Sequence, residues 1–85
     1  MHHHDFINKA ALTTEGLRLL EDYKQAFKEW KPLSARRNEV PKHTMHRAAE
    51  RVKKSAISLW TVATFMGVDH TGFMGIIQQL ENEAL

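Results

Sequence analysis

Residues 59–77 read "LWTVATFMGVDHTGFMGII". An apolar run ends at Gly67, Asp69 follows, and apolar residues resume at Phe73. Glycine accepts the left-handed backbone that helix ends favour. Aspartate accepts hydrogen bonds from the free N–H groups at the start of a new helix. The spacing therefore predicts a helix, a tight turn and a second helix.

Upstream, "HTMHRAAERVKKSAISLWTVATFM" (residues 43–66) places Met45, Ala49, Val52, Ala56, Leu59, Ala63 and Met66 at alternating spacings of four and three. This heptad-like seam predicts one long helix packed along another. Ile57, Trp60, Val62 and Phe65 lie off the seam, so apolar surface wraps most of that half. It is expected to be buried on several sides or to meet a partner.

Further upstream, "TTEGLRLLEDYKQAFKEW" (residues 13–30) predicts a helix capped by Thr13 or Thr14, with Glu15 at its positive end. Leu17, Leu20, Tyr23, Phe27 and Trp30 form its apolar stripe. Pro32 is expected to end it, because the residue before a proline leaves helical space. Residues 31–42, with both prolines, read as a loop. Phe6 and Ile7 are expected to pack one short extra turn. Downstream, Phe73, Ile76, Ile77 and Leu80 predict a last helix in spite of Gly72 and Gly75. No segment alternates apolar and polar residues as a strand requires. The expectation is an all-α fold: one small three-helix domain over residues 13–85, made of a helical hairpin and a C-terminal helix. Residues 1–12 are expected to be a flexible N-terminus, with His2–His4 either a shortened purification tag or a natural end.

With 42% apolar and 26% charged residues in an 85-residue chain, the composition is that of a globular domain. Without cysteine there is no disulfide framework and no thiolate metal site. No membrane span or secretory signal is legible, so a cytoplasmic protein is expected.

The net charge of +2 hides a polarised chain. Residues 31–54 carry Lys31, Arg36, Arg37, Lys42, Arg47, Arg51, Lys53 and Lys54 against Glu39 and Glu50, a formal +6. Residues 55–85 hold no Lys or Arg and three acids, a formal −3. Lysine and arginine release counterions when they meet phosphates. The loop and the start of the long helix are therefore a polyanion footprint, or else a solvated face that binds nothing. His43 and His46 would add charge in mildly acidic solution.

Residues 59–78 resemble the helix-turn-helix of bacterial and phage repressors. The resemblance rests on Ala63 as the small residue, Gly67 as the turn glycine and Val68 directly after it. Val62, Met66, Phe73, Ile76 and Ile77 stand where the two helices would dock. It implies a helix-turn-helix-like corner and a DNA-binding regulatory protein with double-stranded DNA as partner; two apolar seams on so short a chain also point to self-association, and a dimer would double the DNA contacts. Base reading would fall to His70 and Thr71, and the backbone to Arg36, Arg37, Lys42, His43, Arg47, Arg51 and Lys54. Asp69 departs from the pattern, since it repels phosphate.

The alternative is a non-enzymatic protein-binding module, an inhibitor or adaptor, that offers Trp60, Met66, Phe73 and Met74 to a host protein. Methionine-rich surfaces adapt to partners. A second likeness joins Thr13, Glu15, Gly16 and Leu20 to the hairpin opening of bacterial transcript-cleavage factors. Those factors carry acids at the tip, where "SARRNEVPKH" is basic, so the activity does not carry over.

No nucleophile stands beside a base and no glycine-rich phosphate loop exists, so no enzyme is expected. His43 and His46 lie three apart, but no third ligand is compelled, and no metal or cofactor is assigned.

Overall fold

A computed structural model describes residues 6, 7, 9, 10 and 13–85. It is a small all-α domain whose described residues form three long helices, α1 (Thr14–Ala35), α2 (Lys42–Phe65) and α3 (His70–Ala84). Phe6, Ile7, Lys9 and Ala10 are helical too, as the expected short extra turn requires. No described residue lies in a strand.

Thr13 caps α1, its Oγ1 accepting from the Gly16 N–H at 2.9 Å. The chain before the helix comes so close that a Cβ on Gly16 would sit 2.3 Å from the Ala10 carbonyl oxygen. A side chain at that position meets fixed backbone.

α1 runs on past Pro32 to Ala35, five residues beyond the expected stop. Proline removes one N–H from the helix ladder, which leaves the Lys28 carbonyl without its partner. Lys28 and Pro32 are both exposed, so that carbonyl is open to solvent. Trp30 packs 5.9 Å from Phe27, and half-buried Leu33 follows on the same side. Packing therefore holds the helix beyond the proline, and the loop shrinks to residues 36–41.

α2 ends in a Schellman cap. The Val68 N–H donates to the Ala63 carbonyl at 2.9 Å and the Gly67 N–H to Thr64 at 3.0 Å, with Gly67 at φ +87°. Val68 then folds under the helix end, buried against fully buried Ala63. Asp69 caps α3 by accepting from the Gly72 N–H at 2.8 Å.

The turn is sharp, but α3 leans chiefly on α1. The expected docking of α3 on α2 is confined to the corner, where Trp60 meets Phe73 edge-on at 4.9 Å. Further along, the Tyr23 hydroxyl donates to Glu81 at 2.8 Å and ties α1 to α3. Burial, reinforced by the Glu81 carboxylate, pushes the Tyr23 phenol above its ordinary value.

The core is Leu20, Tyr23, Phe27, Leu59, Ala63, Val68, Phe73, Ile76 and Leu80, joined by Phe6 and Ala10. Phe6 is 1% exposed, so the packed domain begins before the expected boundary at residue 13. The reason is that Phe6 supplies a large side chain that a core this small gains from burying. The expectation for His2–His4 lies outside the described residues.

Between Lys28 and Ser58 no residue is fully buried. This half of the hairpin is two helices without a third, an extension in a molecule measuring 41 × 24 × 20 Å.

Candidate nucleic-acid interface

The apolar seam of α2 faces α1, which turns the opposite side of the helix to solvent. His43, Arg47, Lys54, Ser58, Thr61 and Phe65 are all exposed along that side. Their spacings of four, seven, four, three and four keep them in register over six helical turns. Near its start, His43, His46, Arg47, Glu50, Arg51, Lys54 and Ser55 line one shallow concavity.

The charges here are open. Among the described residues, Arg51 alone of the cations in 31–54 meets a carboxylate, that of Glu29 on α1. Arg36 and Arg37 lie in the loop, and Lys42 opens α2. No side chain caps the first turn of α2, because its N-cap is Pro41. The positive end of that helix dipole therefore points to solvent beside the cations. Arg36, Arg37, Lys42, His43, Arg47, Arg51 and Lys54 thus belong to one half of the hairpin.

His70 and Thr71 do not join them. The His70 ring lies edge-on to Trp60, 6.1 Å between centroids, and Trp60 stands thirteen residues after Arg47 on the same helix. At 1.5 Å per residue that is about 20 Å. The exposed start of α3 is thus remote from Arg47 and the loop cations, and the cation cluster reaches it only at Lys53, which lines a groove with His70.

A second surface lies between α2 and α3. Lys53, Ala56, Ile57, Trp60, His70, Phe73 and Met74 line an apolar groove. Ile57 is 53% and Met74 50% exposed. Trp60, Phe73 and Met74 of the expected partner set meet here, with Phe73 mostly buried as the floor. Met66 does not: it lines a different groove, with Lys9, Ala10, Leu19 and Val62, on the α1 side.

Three features were missed in the sequence. Lys53 and Ile57 line the apolar groove, and a helical wheel referenced to Trp60 would have placed them there. Phe65 was expected to be buried or partnered but is 92% exposed. Its place about 120° round the helix from Leu59, off the buried seam, was the available signal.

Among the described residues no three His, Asp or Glu side chains converge as metal ligands, and no helix is long and apolar enough to cross a membrane. Comparison of the chain with family models, with curated proteins and with solved structures finds no match.

Proposed function

We propose that the protein is a small, non-enzymatic, cytoplasmic DNA-binding regulator that grips the phosphate backbone with the α1–α2 loop and the outer face of α2. One observation carries the reading. The basic residues of 31–54 are segregated onto the half of the hairpin that buries nothing fully, and all but Arg51 lack a carboxylate partner among the described residues. Gathering like charges on a slender hairpin raises self-repulsion, and a polyanion relieves it. Because His70 and Thr71 lie at the other end of α2, base reading contributes little while the hairpin holds the backbone. Phosphate contacts position and base contacts specify, so binding is strong in register and weak in sequence preference.

The test is fluorescence anisotropy with a labelled duplex across a salt series. Binding should weaken steeply from low to moderate salt. Arg47→Ala with Lys54→Ala should flatten the log–log slope by about 2, near 0.9 per cation removed, while the circular dichroism spectrum stays unchanged. No binding of any nucleic acid at low salt would sink the reading.

A second reading, a protein-binding module or homodimer, is favoured by the groove around Trp60 and Met74. On that reading sedimentation shows self-association or a host-protein complex that Met74→Asp dissociates without unfolding the domain.

A further inference from the structure

The basic face of α2 does not end at Lys54. Ser58, Thr61 and Phe65 continue it in the same register, and among the described residues Phe65 is the most exposed large apolar side chain, at 92%. None of the three helices offers it a contact in the core. The Ser58 and Thr61 hydroxyls donate back to the Lys54 and Ile57 carbonyls, which fixes them low against the helix. The face therefore presents cations, then two short hydroxyl side chains, then an open aromatic ring.

We propose that this face takes single-stranded nucleic acid, with phosphates on Arg47 and Lys54 and a base stacked on Phe65. The proposal deepens the DNA-binding reading and rests on it. Eleven residues separate Lys54 from Phe65, about 16 Å of helix, which a strand of a few nucleotides spans. The chemistry selects the ligand. A polyanion without rings satisfies the cations and leaves the phenylalanine wet. A duplex presents phosphates but keeps its base faces inside the stack. A single strand offers phosphates and unstacked π-faces together over that length, which a lone nucleotide does not span, and stacking on aromatic side chains is how such strands are held without sequence preference. The small side chains at Ser58 and Thr61 leave the path between the two ends clear.

The experiment measures anisotropy of labelled oligothymidine, of the same strand in a duplex, and of an abasic strand of equal length, with wild type, Phe65→Ala and Phe65→Trp. The single strand should bind more tightly than the duplex or the abasic strand. Phe65→Ala should lose at least about fivefold for oligothymidine, the lower end of what one stacked base contributes. It should lose nothing for the abasic strand, and its salt slope should be unchanged. Phe65→Trp should restore binding and show fluorescence quenching beyond that of the wild-type tryptophans. If oligothymidine binds with a steep salt slope but Phe65→Ala is equal to wild type, the stacking proposal is overturned and the backbone grip survives. If no oligonucleotide binds at low salt, the DNA-binding reading falls too. If anionic phosphatidylserine vesicles bind through Phe65 and oligothymidine does not, the face belongs to a membrane surface and the proposal is wrong.

Discussion

The two ends of the helical hairpin are built from the same seam and do opposite things. At the end near Gly67, α3 lies against α1, and Leu59, Ala63, Ile76 and Leu80 are each at most 1% exposed. At the loop end there is no third helix, nothing from Lys28 to Ser58 is fully buried, and the open cations gather. Stability and charge are thus held apart. Hydrophobic burial needs water excluded, whereas a phosphate grip needs lysine and arginine heads to stay hydrated until the ligand arrives. Placing both on one surface would desolvate charges at a cost of several kcal/mol each.

That division is open to being broken by substitution. The largest effect should come from Leu59→Ala. Truncating a fully buried leucine costs about 2–5 kcal/mol, a large share of the stability of a domain this size. Val52→Ala, on the same seam but only half-buried, should cost about 1 kcal/mol or less, since few buried contacts are lost. Urea denaturation measures both. Equal losses would mean that the loop end is as well packed as the base.

Next in size is Gly67→Ala. No atom lies within 4 Å of a Cβ there, so the cost is the left-handed backbone alone, about 1–2 kcal/mol. Thermal melting should show it without any change in the DNA affinity of the hairpin.

Smaller still is Tyr23→Phe, which removes the hydrogen bond to Glu81 at a cost of about 1 kcal/mol. It also carries a pH signature. The folded phenol titrates above its ordinary value, so deprotonation favours the unfolded chain. The stability involved is complete below the unfolded value of about 10 and is lost as pH rises through and beyond it. Wild type should therefore weaken above that pH more steeply than the phenylalanine variant in alkaline melts.

The smallest effect on stability should belong to Arg47→Ala with Lys54→Ala. Both side chains are exposed and unpaired among the described residues, so folding should change by less than about 0.5 kcal/mol. DNA binding should nonetheless lose its salt dependence in proportion. A large stability loss here would show that the charges serve the fold.

Much of the scaffold was legible because local chemistry decided it. Gly67, Asp69 and Thr13 perform the capping roles their residue types suggest, and the α2 seam named Leu59 and Ala63 as core. What stayed hidden depended on contacts distant in sequence. Pro32 reads as a helix stop, and only the packing of Trp30 and Leu33 carries the helix past it. The stripe Phe73, Ile76 and Leu80 announces a buried face but not that α1, more than α2, covers it. Of the site, the cation cluster was visible as charge, whereas its separation from His70 and Thr71 required the length of α2. Phe65 lies off the seam, so the sequence left open whether it is buried or meets a partner, and the placement of α1 and α3 on the other sides of the helix leaves it bare.

Amide hydrogen exchange with and without bound oligothymidine asks most directly whether the basic half of the hairpin is the gripping surface and the three-helix half its support. Without ligand, amides of 28–52 should exchange faster than those around Leu59 and Ile76. With ligand, amides between Arg36 and Lys54 should gain protection while those of α3 stay as they were. Protection appearing at His70–Gln79 and not on the hairpin would contradict that division of labour.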